Sequence, residues 1–243
     1  MKVPNTGKCV IIRNNMPGIK MPQAPRRINM GLAIPIETSA RHIHMCQADF
    51  EILFGEGKTL TYKADLSQPG QYVCEERITV KGPKGSFENV AILGPFRPET
   101  QLEISMTDSR KLGIPGVIRQ SGDTEGTPGC TLIGPAGTLE LDHGVIVAKR
   151  HIHMTPFQAV QLNVRDNDEV FVITESYERS LIFADVVVRV SPKFALAMHV
   201  DTDEANAFAS DSTPSGTILK LFGGQTYNLQ KWADEIQNGI HRM

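Results

Sequence analysis

Arg41-His42-Ile43-His44-Met45 returns, letter for letter, as Arg150-His151-Ile152-His153-Met154, and the two copies hold four of the chain's seven histidines. In an extended strand alternate side chains share a face. His42 and His44 therefore point one way, as do His151 and His153, each pair about 6.6 Å apart along its strand. Two imidazoles converging from one strand face make half of a metal site. A single His-x-His is better explained by an ordinary half-buried strand. Its return with both histidines and their neighbours kept is read as a duplicated metal-binding unit.

The flanks repeat as well. Residues 31–36 read as a strand entering the first copy, and residues 47–54 carry the apolar spacing of a short helix stopped at Gly55. Residues 144–149 lead into the second copy, Thr155 is a good N-cap with Pro156 at the first helical position, and residues 157–162 supply the helix. Short β-rich runs separated by Gly, Pro and Asn follow, at 59–64, 76–81, 90–93 and 101–106 in the first half and at 169–174, 181–190 and 194–200 in the second. Closely spaced short strands with few long helices favour barrels or sandwiches over a doubly wound sheet. The expected fold is mainly β, with two small β-barrels related by internal duplication and capped by short helices.

A further correspondence adds a third residue to each doublet. Leu93-Gly94-Pro95-Phe96-Arg97 and Gln101-Leu102-Glu103-Ile104-Ser105 can be laid over Val190-Ser191-Pro192-Lys193 and Ala197-Met198-His199-Val200-Asp201. Pro95 then matches Pro192, and Glu103 falls on His199. Taken singly, Glu103 reads as a solvated strand residue and His199 as a core histidine; their coincidence in the repeat favours ligands. Three protein ligands with one position left open is the pattern of a catalytic rather than a structural zinc.

Composition narrows the function classes. The chain has 243 residues, 40% hydrophobic and 21% charged, enough for one large or two small domains. A net charge of −2 and an aromatic content of 6% supply neither the basic field nor the stacking surface of a nucleic-acid binder. Nothing approaches about 18 consecutive apolar residues, so no membrane helix is expected. Cys9, Cys46, Cys74 and Cys130 are scattered without a Cys-x-x-Cys pair and read as free thiols in a reducing cytoplasm. Cys46 directly follows the first copy, but Thr155 takes its place after the second, which favours a capping or packing role over a nucleophile.

Residues 1–30 form a basic extension with several prolines, and residues 1–36 contain no Asp or Glu. A short apolar run at 9–12 is suited to docking. The Gly-rich stretch 121–129 reads as a flexible loop, with no Walker-type Lys-Ser/Thr after it. Residues 229–237 read as a C-terminal packing helix within a tail at 221–243.

Arg97 lies six residues ahead of Glu103, on the turn entering that strand, where a planar guanidinium can hold a phosphate bidentately beside a metal. The paired doublet blocks, Leu93 to Arg97, Gln101 to Ser105 with Thr107-Asp108, Ser121-Gly122-Asp123, and His199-Val200-Asp201-Thr202-Asp203-Glu204-Ala205-Asn206 together resemble the phosphate propanoyltransferases, metal-dependent phosphotransacylases associated with bacterial microcompartments. The resemblance covers roughly residues 31–208. It implies two zinc (or other divalent) ions, with His42, His44 and Glu103 holding one and His151, His153 and His199 the other. It also implies Arg97 and Glu103 as catalytic residues and Asn206 as a coenzyme A contact. Family members build one barrel from both sides of the middle segment, here 31–40 plus 149–220, and the other from 41–148.

The activity implied is reversible conversion of a short-chain acyl-CoA, propanoyl- or acetyl-CoA, and inorganic phosphate to acyl phosphate and coenzyme A. A homodimer is implied, in the cytoplasm or inside a microcompartment whose shell or lumen proteins would be partners. Members that enter microcompartments carry an N-terminal encapsulation signal; residues 1–30 match its length but have poor helical amphipathicity. The alternative on the same ligands is a metallohydrolase of a phosphate or thioester, with water as nucleophile. A cupin is set aside for want of its glutamate after the second histidine of each doublet. A noncatalytic, metal-stabilised scaffold is the alternative from another class.

Overall fold

The computed structural model of the protein describes residues 32–174, 179–208, 214–221 and 225–226. The extension at 1–30, the apolar run at 9–12 and the helix expected at 229–237 lie outside these residues. Among the described residues no helix is long and apolar enough to cross a membrane.

In chain order, β1 (Ile34–Ser39) runs into the first doublet strand, β2 (His42–His44), and then α1 (Gln47–Phe54). Next come β3 (Tyr62–Asp65), β4 (Tyr72–Lys81), β5 (Ser86–Gly94), β6 (Gln101–Glu103) and α2 (Met106–Leu112). β7 (Ile118–Arg119), β8 (Cys130–Ile133), β9 (Thr138–Leu141) and β10 (Val145–Ala148) precede the second doublet strand, β11 (His151–Met154), and α3 (Pro156–Leu162). The remaining elements are β12 (Glu169–Thr174), β13 (Leu181–Val190), β14 (Ala197–Asp201), α4 (Thr202–Ala207), β15 (Ser215–Ile218) and a small pair, β16 (Lys220–Leu221) with β17 (Gln225–Thr226).

Six strands close a barrel in the order β1-β14-β11-β13-β12-β15, returning to β1. The other large sheet, β7-β10-β6-β2-β5-β4-β8-β9 with β3 on β4, curls into a half-barrel, so the expected mainly β fold of two barrel-like units is present with one of them open. Two-residue β7 and outer β9 form its ends, and no ladder joins them.

Each doublet strand is central in its sheet, and the two settings match. β2 lies parallel to β5 and antiparallel to β6; β11 lies parallel to β13 and antiparallel to β14. Period 2 then sorts the side chains. Ile43 and Met45 point into one apolar core, Ile152 and Met154 into the other, all four at most 1% exposed. Burying an Ile side chain contributes about 2 kcal/mol, so each core holds its histidines on the opposite face.

Local chemistry explains the helices. Thr155 caps α3 in a reciprocal capping box with Gln158, and Pro156 sits in its first turn, as expected. Gly55, at φ 108°, terminates α1. The strand expected over 101–106 stops at Glu103, because Ser105 and Asp108 form a second capping box that starts α2. Asp201 and Glu204 form a third, starting α4. The first turns of these two helices meet: the Thr107 backbone N–H donates to Asp203 Oδ2 at 2.8 Å, across the two halves.

Candidate active site

The ladders set each third residue beside its doublet. His42 is the cross-strand partner of Glu103 on β6, and His151 that of His199 on β14. The first cluster is compact: ligand atoms of His42, His44 and Glu103 all lie within 4.8 Å of one another, with His42 Nε2 3.6 Å from Glu103 Oε2. In the second, the His199 ring centroid lies 5.3 Å from that of His151 and 5.0 Å from that of His153.

Hydrogen bonds fix which nitrogen each imidazole presents. His42 Nδ1 and His151 Nδ1 each lie 2.9 Å from a backbone carbonyl, of Ala40 and Lys149 respectively. A carbonyl only accepts, so each Nδ1 carries the proton and each Nε2 keeps a lone pair. His44 Nδ1, His153 Nδ1 and His199 Nε2 are buried without a hydrogen-bond partner. An orphaned buried nitrogen costs about 1–3 kcal/mol, and a divalent cation at each cluster would satisfy these atoms together. The donor sets, two imidazoles with a carboxylate and three imidazoles, suit zinc.

Electrostatics supports the same reading. Burial pushes His44 down to about 3, His151 to about 4 and His153 to about 2, and it lowers His199 as well, so these rings are neutral, with free lone pairs, at neutral pH. Burial acts to raise Glu103, but His42, His44, the Ser121 hydroxyl and Arg97 hold it down at about 2, as a carboxylate. Ser121 Oγ donates to Glu103 Oε1 at 2.8 Å and Gln101 Nε2 donates to the same oxygen at 2.7 Å. Arg97 Nη1 donates to Ser121 Oγ at 3.0 Å, and the Gly122 N–H to Gln101 Oε1 at 2.7 Å. The Gly-rich loop thus begins inside the site.

Both clusters face one cleft of about 420 Å³ between the two sheets, which Arg97 also lines. Sequence reasoning missed three other residues lining it: Arg189, Lys149 and Phe194. Phe194 packs against His153 with centroids 4.2 Å apart and the rings tilted by 34°. Lys149 forms a short ion pair with Glu169. Arg189 is the cross-strand partner of His153, as Leu93 is of His44, so the ladder sets Leu93 over Arg189 rather than over Val190. A charged residue interrupting the run Val186-Val187-Val188-Arg189-Val190 was the available signal. Burial lowers the Arg97 guanidinium from its ordinary value, Glu103 opposes this, and nearby Arg189 adds to it. Arg97 and Arg189 thus face one cleft with both clusters, which Arg41 and Lys149 also line. Asn206 stands elsewhere, exposed on α4 and outside the cleft lining. Cys46 is also outside it, at the N-cap of α1 with its backbone N–H on Thr100 Oγ1 at 3.1 Å.

The family model described as phosphate propanoyltransferase matches residues 35–211. A phosphate propanoyltransferase of Enterococcus faecalis is 56% identical over 185 residues, covering 76% of this chain and 87% of that protein. One from Thermotoga maritima is 56% identical over 174 residues, covering 72% of this chain and 83% of its own. One from Clostridioides difficile is 50% identical over 195 residues, covering 80% and 91%. With nearly all of both ligand clusters' setting inside the matched span, the chain belongs to the phosphate propanoyltransferase family.

Proposed function

We propose that the protein transfers an acyl group between coenzyme A and inorganic phosphate, taking a short-chain acyl-CoA, propanoyl- or acetyl-CoA, to acyl phosphate and free coenzyme A, in either direction. The observation that carries this reading is the convergence of Arg97 and Arg189 on one cleft with two histidine-rich clusters. The named activity of its relatives supports it.

His42, His44 and Glu103 would hold one zinc ion, and His151, His153 and His199 the other. When bound, the cations supply Lewis-acid stabilisation of negative charge. Arg97 and Arg189 bind phosphate, each guanidinium offering a planar fork that matches its oxygens. Ser121 and Gln101 keep Glu103 in register as a carboxylate, and Ser121 also accepts from Arg97, so phosphate binder and ligand cluster are held by one hydroxyl.

Phosphate is anionic at neutral pH and attacks without a strong base. One phosphate oxygen bonds to the thioester carbonyl carbon, negative charge builds on the carbonyl oxygen, the carbon–sulfur bond breaks, and coenzyme A leaves as thiolate. Positioning and preorganised charge supply the acceleration. Phe194 gives the cleft an apolar wall beside His153.

The test is thiol release from propanoyl-CoA by the zinc-loaded protein, with and without phosphate. Release that requires phosphate and yields acyl phosphate is expected. Release independent of phosphate would assign a metallohydrolase, and no release with full metal occupancy would assign a scaffold.

A further inference from the structure

The arginine opening each copy of the duplicated block touches neither phosphate nor ligand in this account, yet its setting is repeated in detail. Arg41 Nη2 donates to Asp108 Oδ1 at 2.8 Å and Nε donates to Oδ2 at 3.0 Å. Arg150 Nη1 donates to Glu204 Oε1 at 2.7 Å. Asp108 lies five residues beyond Glu103, and Glu204 five residues beyond His199. Each acid is the third residue of a helix that begins directly after a third-ligand strand, and each belongs to a capping box. An aromatic ring braces each guanidinium from the parallel neighbour of its doublet strand. Phe87 of β5 lies 4.1 Å from Arg41 Cζ, and Phe183 of β13 lies 5.4 Å from Arg150 Cζ.

Each arginine therefore joins three elements: the doublet strand that carries it, the parallel strand that supplies the ring, and the helix that follows the third-ligand strand in the chain. The carboxylates are the more enclosed partners, with side-chain exposures of 39% and 6% for Arg41 and Asp108 and 27% and 21% for Arg150 and Glu204. Surface solvation does not account for a bidentate fork onto a buried carboxylate. Both carboxylates also cap their helices, Asp108 Oδ2 accepting the Ser105 N–H at 3.4 Å and Glu204 Oε2 the Asp201 N–H at 3.2 Å, but capping requires no arginine.

We infer that Arg41 and Arg150 are positioning residues, one for each cluster, fixing Glu103 against His42 and His44 and His199 against His151 and His153. The inference rests on the two clusters being cation sites. Support for ligands from groups just outside the cluster is worth about tenfold to a hundredfold in metal affinity. Removing Arg41 should weaken the first cluster by that factor and leave the second unchanged; removing Arg150 should do the reverse.

The experiment is cobalt(II) titration of the metal-stripped full-length protein, followed by visible absorption against a competing chelator. His151→Ala isolates the first cluster and His42→Ala the second. In the His151→Ala background, Arg41→Gln is expected to weaken cobalt binding by about tenfold or more, with Arg41→Lys in between. Arg150→Gln should leave that cluster unchanged. If Arg41→Gln does not fold, Arg41→Gln/Asp108→Asn removes the stranded buried charge and is measured in its place, with the same expectation. Unchanged affinity in the arginine variants, or equal weakening of both clusters by one arginine, overturns the positioning role while leaving the cation sites standing. Absence of cobalt binding by the unsubstituted protein overturns the cation sites and the positioning role with them.

Discussion

Replacing Arg97 by alanine should raise the phosphate requirement and leave the metal in place. Its backbone N–H is fixed on Met45 O at 2.9 Å and its Nη1 on Ser121 Oγ at 3.0 Å, so the guanidinium is held before phosphate arrives. A hydrogen bond to a charged group in such a site contributes about 2 kcal/mol. At 1.36 kcal/mol per factor of ten, that is roughly a 30-fold rise in KM for phosphate. Arg189 remains in the cleft, which keeps the loss partial, and Arg97→Ala/Arg189→Ala should compound it. Glu103 keeps its donors Ser121 and Gln101 in the variant, so zinc content should match that of the unsubstituted protein. The assay is the initial rate of thiol release from propanoyl-CoA across a phosphate series, alongside zinc per chain. A KM for phosphate within twofold of the original, or a loss of zinc, would refute the assignment of Arg97 as phosphate binder.

Three further outcomes are expected. Glu103→Gln and His151→Ala should each cost one zinc equivalent per chain, by elemental analysis after dialysis, and nearly all activity; two retained equivalents in either would remove that residue from the ligand set. Gly129→Ala places a methyl group 1.8 Å from Leu141 O, a contact relieved only by backbone movement; overpacking of about 2 kcal/mol should lower the melting temperature by roughly 4–8 °C, and an unchanged melt would show the turn to be more yielding than described. Burial pushes the thiols of Cys74 and Cys130 up to about 11 and about 12, so both stay protonated below pH 9 and should resist iodoacetamide in the folded protein; peptide mapping after native alkylation checks this, and labelling of either at pH 7.5 would contradict it.

The features legible in the sequence were those that local chemistry writes in adjacent letters. α1 and α3 were found with accurate ends because Gly55, Thr155 and Pro156 mark them, and β12 and β13 because their apolar runs are bounded by turn formers. α2 was missed because an apolar-alternating strand runs straight into its cap, so that Ser105 reads equally well as strand. β8 and β9 are only four residues long, and it is their pairing with each other and with β4 that makes them strands. The repeat singled out Glu103 and His199, which the ladders set beside the doublets, but passed over Arg189, because an alignment on Pro95 and Pro192 is one residue out of register with the ladder. Ser121 and Gln101 act through hydrogen bonds to Glu103, and no spacing rule reaches across the 18 residues between Glu103 and Ser121. That the second sheet stays open is equally nonlocal, depending on whether two distant ends meet.

Barrel closure also sets an order of events during synthesis. β1 pairs with β14 and β15, the last barrel strands to be made, while the ladder from β2 to β10 lies wholly between them. As the chain leaves the ribosome, the half-barrel with Arg97 and Glu103 can complete its hydrogen bonds while β1 still waits with an unpaired edge. β1 finds its first neighbour only when translation has passed Asp201, and its second only after Ile218. A ribosome that stalls near residue 150 would therefore release a chain with one ligand cluster and an exposed strand, open to pairing with another such chain.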